Sequence, residues 1–203
     1  MKDFVKFILK NSIIFALVSF AFSMIGAFFP ESEFTVVIGN PLVVSSVTYE
    51  HVLGHVFWGA IIGLGTLSIR YIILGGSFAI FIDSDHLLQF LDIELVSRMS
   101  HSIPFAVIVS IVFFVILRGK DIRICAVAFA AVLSHLAFDI FLADVAFGSG
   151  TKFPLFSPFT FETVPFQGLD WLSIQIIGVA IVAITSYFYK RKEIKLKNNF
   201  TKT

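Results

Sequence analysis

The sequence has few charged residues and almost no cysteine. Charged side chains make up 14% of the 203 residues, whereas a soluble domain carries about 25%. Intrinsic disorder is excluded, because disorder requires low hydrophobicity together with high charge. The single cysteine, Cys125, cannot form an intramolecular disulfide or a cysteine zinc finger. A net charge of +1 gives no reason to expect nucleic acid as a partner.

Apolar residues dominate what is present. They account for 57% of the chain, including 26 phenylalanines, and the mean hydropathy is +0.92. A water-soluble fold does not have enough polar surface to enclose so much apolar material. The composition therefore predicts an integral membrane protein with the lipid bilayer as its main partner.

The apolar runs predict an all-α, polytopic transmembrane helical bundle. About 20 apolar residues cross the ~30 Å of hydrocarbon, and four runs qualify: roughly 4–29, 103–117, 122–142 and 171–189. Residues 51–82 are also apolar, but the break Gly63-Leu64-Gly65-Thr66 divides them into two short helices, either thin spans or a re-entrant hairpin. The prediction is about six spans, two of them short or re-entrant. Residues 143–170, which contain three prolines, are predicted to form a loop.

We interpret 1–203 as a single integral membrane domain with three parts. Residues 1–49 form an added, uncleaved first span and an outer loop, although Lys2, Lys6 and Lys10 before an apolar run also occur in secretory signals. Residues 50–170 form the core, and 171–203 supply the last span and a basic cytoplasmic tail.

The basic residues predict the orientation of the bundle. With the N-terminus inside and six crossings, 13 of the 15 lysines and arginines lie on the inner side, leaving only Arg98 and Lys152 outside. Such a bias is the usual signature of cytoplasmic segments. The sequence thus predicts a plasma membrane protein with both termini cytoplasmic.

Ionisable side chains gather near the predicted outer ends of the spans. They come from four segments and include every histidine of the chain: His51, His55, Asp83, Asp85, His86, His101, His135 and Asp139. Ionisable groups inside a span, such as His135 and Asp139, are costly and usually functional. Imidazole and carboxylate without thiolate suit Zn²⁺ best, with other divalent metals less favoured. Eight candidate ligands exceed one tetrahedral site, which predicts two or three ions.

Several alternatives stay open at this point. A lone interfacial histidine is usually a hydrogen-bonded helix end. Ser100, Ser102 and Ser134 neighbour histidines, but acyl transfer is the weaker interpretation because there is no G-x-S-x-G elbow. The same ligands would also suit a metal transporter, or a metal that only ties helices together.

The order of these motifs resembles the YdjM-like family of bacterial and archaeal membrane-bound metal-dependent hydrolases. The likeness covers about residues 54–158 and rests on five stretches, which are Gly54-His55, Ile82-Asp83-Ser84-Asp85-His86, Ser97-Arg98-Met99-Ser100-His101-Ser102, Leu133-Ser134-His135 with Asp139, and Phe153-Pro154-Leu155-Phe156-Ser157-Pro158. Ile82 replaces the proline of the family motif and Ser97 replaces its first histidine. His51 has no clear counterpart in the family.

The resemblance implies a metal-dependent hydrolase in the membrane of a bacterium or archaeon. The His135-x-x-x-Asp139 motif is also similar to those of zinc-dependent phospholipases C and P1-type nucleases, which implies phosphoester hydrolysis. The expected substrate is a lipid or lipid-linked phosphoester, because the candidate ligands lie near the predicted depth of the outer phospholipid phosphates. In such enzymes the metal lowers the pKa of bound water toward ~7. Asp83 or Asp85 is the expected general base. Arg98 is expected either to stabilise an oxyanion or to contact headgroups or Glu94.

Overall fold

The computed structural model describes residues 1–29, 48–89, 98–148 and 150–200. The described part of the chain is mostly helical, with 77% of its residues in helices and one two-stranded sheet. The α-helices are α1 (Lys2–Met24), α2 (Tyr49–Leu64), α3 (Ile69–Phe81), α4 (His86–Gln89), α5 (Ile103–Ile116), α6 (Ile122–Phe147) and α7 (Asp170–Phe200). Two short 3-10 helices, Ile25–Phe28 and Ile82–Asp85, continue α1 and α3.

Four of the helical segments are long and apolar enough to cross a membrane. They are Lys2–Phe28, Ile69–Leu88, Ile122–Val145 and Asp170–Lys195. This agrees with the predicted helical membrane protein. Helices α2 and α5 have 16 and 14 residues, so they measure about 24 and 21 Å, less than the ~30 Å of the hydrocarbon layer.

Helix α6 lies at the centre of the bundle. Within its most apolar window 78% of the residues are buried, compared with 22% for α7. Large apolar side chains on α1, α5 and α7 are exposed, among them Leu17, Phe114 and Ile176. Such an apolar outer surface suits a lipid environment and would be unusual in water.

Helices α2 and α3 form a tight antiparallel pair joined at Gly65–Ser68. Their backbones approach at glycines: a Cβ on Gly59 would lie 2.3 Å from the Gly75 carbonyl oxygen, and one on Gly63 would lie 2.3 Å from that of Tyr71. Small residues at such positions let membrane helices pack closely. The pairing brings the N-terminal end of α2 beside the C-terminal end of α3, where the candidate site lies.

Helix α1 packs against α3, the 3-10 helix Ile82–Asp85 and α5. Phe15 stacks on Phe78 at 4.5 Å and meets Phe105 edge-on. Polar side chains also cross this interface, since the Ser77 hydroxyl donates to that of Ser12 at 2.7 Å. The segment interpreted as an addition is thus in direct contact with the core that carries the candidate ligands.

The prediction that 143–170 is a loop is wrong in part. Helix α6 continues to Phe147 and ends at Gly148, whose φ of 59° is the left-handed conformation that glycine favours. Strands β1 (Thr151–Phe153) and β2 (Val164–Phe166) then pair antiparallel. The prolines led the sequence to be interpreted as a loop, because proline in a strand is tolerated only at a sheet edge. In the structure Pro165 lies in β2, opposite Lys152.

The opposite end of the bundle holds a second polar group. Asp121 caps α6, binds the Arg123 guanidinium at 2.9 and 3.1 Å and accepts from the Tyr71 hydroxyl. Arg123 lies over the rings of Tyr71 and Tyr189. These contacts tie the start of α3 to α6 and α7, far along the helices from the histidines.

Candidate metal centre

All five histidines of the chain meet at one carboxylate. Asp83 follows directly on α3, in the 3-10 helix, and the Nε2 atom of every histidine lies 3.2 to 3.7 Å from one of its oxygens. We call this group the His–Asp cluster, which consists of His51, His55, Asp83, His86, His101, His135 and Asp139. Four chain segments contribute to it, as the sequence predicts.

Helix α2 supplies the first histidine pair. The helix begins at a cap in which the Thr48 hydroxyl accepts from the His51 backbone N–H at 3.3 Å. His51 and His55 are one helical turn apart, so both rings lie on one face. Their Nε2 atoms are 3.0 Å apart, close to the ~3.3 Å expected for two nitrogens bound to one tetrahedral zinc ion.

Helices α5 and α6 supply the second pair. The Nε2 atoms of His101, just before α5, and His135, in the middle of α6, are 2.9 Å apart. His135 Nδ1 lies 2.8 Å from the Ala79 carbonyl oxygen, and a carbonyl only accepts. We therefore infer that Nδ1 carries the proton, which leaves the Nε2 lone pair directed at the cluster, as in metal-binding histidines.

Asp139 is the second carboxylate of the cluster. It lies one turn after His135 on α6, with its Oδ1 3.3 Å from His55 Nε2 and its Oδ2 3.5 Å from His135 Nε2. The rings of His55 and His135 stack at 3.8 Å with an angle of 7°. This stack joins the two histidine pairs into one compact group.

The ligand atoms fit a divalent metal. Three overlapping groups have their ligand atoms within 4.8 Å of one another: His51 with His55 and Asp83, His55 with His135 and Asp139, and Asp83 with His101 and His135. The Asp83 Oδ2 atom is buried and has no hydrogen-bond partner among the described residues. His51 and His55 lie 3.5 Å from it, which is an ion-pair distance. Two largely buried carboxylates, Asp83 and Asp139, need a compensating cation.

One side of the cluster is accessible. The side chains of His55 and His135 are fully buried, whereas those of His51, Asp139 and His86 are 16%, 16% and 26% exposed. The cluster therefore has a closed floor and an open rim. An open position distinguishes catalytic metal sites from closed structural ones.

The three groups include neither of two predicted ligands, His86 and Asp85. His86 Nε2 lies 3.7 Å from Asp83 Oδ1, the longest of the five histidine distances, and His86 belongs to none of the three groups. Asp85 ends the 3-10 helix, but its side chain lies outside the part of the structure that is described.

Arg98 lies beside the cluster. Its φ is 60°, an unusual conformation for a residue with a side chain. Its guanidinium lies 4.9 Å from the centre of the Phe153 ring and donates to the Lys152 carbonyl oxygen at 3.2 Å. Phe153 in turn stacks against His101 at 6.2 Å. Within the described residues Arg98 has no ion pair with the cluster, and Glu94 lies outside them.

The serines next to the histidines have structural roles. The Ser100 hydroxyl donates to the Ile82 carbonyl oxygen at 2.9 Å, which ties the His101 segment to the Asp83 segment. The Ser102 hydroxyl caps α5 by accepting from Phe105 N–H. In the described part of the chain neither these two nor Ser134 bonds a histidine, so the contacts of a serine–histidine pair are not formed.

Sequence reasoning missed the groups that hold the ligands in place. Ser19 and Ser23 of α1 reach Ile82 O and the Ser100 hydroxyl, both at 3.3 Å. Phe138 packs edge-on against His55 at 4.7 Å, and a Cβ on Gly54 would lie 2.0 Å from its ring. Gly54, directly before His55, was the only sign of this packing in the sequence. Its role could not be recognised there, because it depends on the Phe138 ring, 84 residues away.

Comparisons with family models, with curated proteins and with solved structures find no match for this chain. The resemblance to the YdjM-like family stays a prediction, and the function is argued from the geometry of the cluster.

Proposed function

We propose that the protein is a membrane-embedded, metal-dependent hydrolase, with zinc as the preferred ion. The observation that carries this proposal is the meeting of five histidines and two aspartates at one point with an open rim. A divalent ion at such a site lowers the pKa of bound water and polarises the scissile group. Nitrogen and oxygen ligands without thiolate suit zinc, although other divalent metals bind similar sets.

The side chains of the cluster would have different roles, according to how deeply each one is buried. His55 and His135 form the closed floor, where tight packing fixes their rings. Asp83 and Asp139 are partly accessible and would hold metal at the rim, and proton transfer from water is assigned to Asp85, the other predicted base. Arg98 would act on substrate from its position over Phe153, the ring that stacks against His101.

The proposed substrate is a phosphoester of a lipid or a lipid-linked molecule. The loop between β1 and β2 carries two exposed phenylalanines, Phe159 at 83% and Phe156 at 50%. Phe153 and Phe161 are instead packed inward, against His101 and Phe29, and the side chain of Phe147 lies outside the described part. The two exposed rings favour contact with lipid close to the cluster.

The second candidate is a metal-binding or metal-transporting protein without hydrolase activity. Transport requires ligands distributed along a path through the membrane. In the described residues, the three groups able to hold a metal all belong to the one cluster. This concentration favours the hydrolase.

We propose an orientation in which the cluster faces the outside of the plasma membrane of a bacterium or archaeon, with both termini cytoplasmic and about six crossings. In this arrangement α2 is a thin crossing, and α3 crosses together with the short helical segments that follow it, up to Leu88. Basic side chains support this orientation, because they lie at the helix ends opposite the histidines: Arg70, Arg118, Lys120 and Arg123. Lys190 lies at the same end, where it donates to Thr66 O in the α2–α3 turn.

Cysteine labelling tests this orientation with two exposed lysines as a matched pair. In a Cys125→Ala background, an impermeant thiol reagent added to whole cells is expected to label Lys152→Cys and to spare Lys192→Cys until the membrane is opened. Labelling of Lys192→Cys alone would place the cluster on the cytoplasmic side.

A lipid assay tests the hydrolase. Purified protein is incubated with zinc and a mixed lipid extract, and headgroups are profiled by mass spectrometry beside soluble phosphoesters. We expect wild type to cleave a lipid about a hundredfold faster than His135→Ala, since metal polarisation contributes several kcal/mol. Asp144→Asn is the matched control, because Asp144 lies on the same helix but accepts from Gly168 N–H. Equal headgroup profiles for wild type and His135→Ala, with metal bound to wild type, would favour the binding protein.

A further inference from the structure

The two carboxylates of the cluster each have one oxygen directed at each histidine pair. Asp83 Oδ2 lies 3.5 Å from His51 and 3.5 Å from His55, whereas Asp83 Oδ1 lies 3.4 Å from His101 and 3.2 Å from His135. A carboxylate that binds one ion through both oxygens would have the same nitrogens near both of them. Asp83 instead has a different oxygen nearest to each histidine pair.

Asp139 repeats this pattern. Its Oδ1 lies 3.3 Å from His55, and its Oδ2 lies 3.8 Å from His101 and 3.5 Å from His135. Asp139 reaches the cluster from α6 and Asp83 from the end of α3, so the two carboxylates are supplied by different elements. Each histidine pair therefore has an oxygen from both aspartates.

This arrangement contains more ligands than one ion uses. One zinc ion takes three or four protein ligands, and a catalytic ion can become five-coordinate when water or substrate binds, whereas the three groups contain four histidines and two aspartates. Divided between the pairs, they give each ion two nitrogens and two bridging oxygens. The 3.0 and 2.9 Å nitrogen separations within the pairs also suit two ligands of a common ion.

We infer that the cluster is a two-ion centre bridged by Asp83 and Asp139, which takes an anionic phosphate group. His51 and His55 hold one divalent ion, and His101 and His135 hold the other. This inference rests on the metal binding of the proposed function and adds the number of ions and the residues that hold each ion.

Charge determines the class of ligand. Two divalent ions, two carboxylates and four neutral imidazoles leave a net charge of +2, and one further carboxylate would still leave it positive. Uncompensated charge is costly in a site with buried walls. An anionic group is therefore favoured at the open rim beside His51 and Asp139, and paired metal ions are a recurring means of binding phosphate esters.

Cobalt titration tests the number of ions. Protein in detergent is stripped with a chelator, loaded with Co²⁺ and measured by elemental analysis and electron paramagnetic resonance. Wild type is expected to bind two equivalents with spin coupling between them. His51→Ala and His101→Ala are each expected to retain one equivalent without coupling. His86→Ala, the histidine outside the three groups, is expected to keep both.

One equivalent in wild type, lost completely in both His51→Ala and His101→Ala, would overturn the two-ion centre. Inorganic phosphate is the probe for the ligand, and we expect it to change the cobalt spectrum of wild type but not that of His51→Ala. An unchanged wild-type spectrum at saturating phosphate would overturn the assigned ligand class. Two bound ions in a protein without hydrolase activity would refute the proposed function alone, and hydrolysis with a single ion would refute this inference alone.

Discussion

Replacing Asp83 with Asn is expected to remove about two thirds of the stabilisation that zinc gives to the protein. Among the described residues, Asp83 is the one within 3.7 Å of all five histidines, and it belongs to two of the three ligand groups. Loss of an outer partner of a metal ligand already lowers affinity 10- to 100-fold. We expect the loss of this carboxylate to weaken zinc binding by about a hundredfold or more.

The thermal consequence follows from mass action. At a zinc concentration about 1,000 times Kd, binding stabilises the folded state by about 4 kcal/mol, and a hundredfold weaker variant gains only about 1.4 kcal/mol. For a chain of this size that difference corresponds to about 5–10 °C in Tm. The measurement is the zinc-dependent rise in Tm in detergent for wild type, Asp83→Asn and Asp144→Asn.

Comparing each protein with and without zinc cancels whatever the substitution does to the metal-free fold. Asp144→Asn is expected to keep the wild-type rise, because its carboxylate contacts Gly168 rather than the cluster. A full zinc-dependent rise in Asp83→Asn would show that Asp83 is not a ligand.

Replacing Gly75 with Ala is expected to destabilise the α2–α3 pair by about 1–3 kcal/mol, in the range of overpacked interiors. The new Cβ would lie 2.2 Å from the Gly59 carbonyl oxygen, and a backbone atom cannot rotate away as a side chain can. The helices must separate, which moves His51 and His55 relative to Asp83. Bound zinc should therefore fall together with Tm.

Gly178→Ala is the matched control on α7. Its new Cβ would meet the tip of the Ile62 side chain at 2.8 Å, with the Ala130 backbone no closer than 3.6 Å. Since alanine favours a helix over glycine by up to about 1 kcal/mol, this variant is expected to be neutral or slightly more stable. Equal Tm and zinc content in Gly75→Ala and wild type would contradict the role of this close approach.

The helices could be predicted from the sequence because their signals are local. The apolar runs and the glycine break at 63–66 place α1, α5 and α6 and divide α2 from α3 within about five residues of their observed bounds, whereas α7 continues to Phe200, well beyond the predicted run 171–189. The i, i+4 spacing of His135 and Asp139 likewise fixes their shared face, and the structure places them 3.5 Å apart. The hairpin β1–β2 was missed, because its strands have three residues each.

The interior of the candidate site could not be predicted, because its contacts join distant parts of the chain. Nothing in the sequence indicates that Asp83 lies between the two histidine pairs or that His135 bonds the Ala79 carbonyl oxygen. The same holds for Ser23 of α1, which reaches Ser100 across 77 positions. Each of these depends on how helices pack, and a residue pattern along one helix contains no record of its neighbours.

Metal content of the purified wild-type protein tests the central claim most directly. Protein prepared without chelator and without affinity metals is measured by elemental analysis, stripped, and then measured again after zinc is returned. The His–Asp cluster predicts at least one divalent ion per chain, which the chelator removes and added zinc restores together with the Tm. Protein that contains no metal, takes up none and shows no change in Tm with zinc, manganese, iron or nickel would contradict the claim.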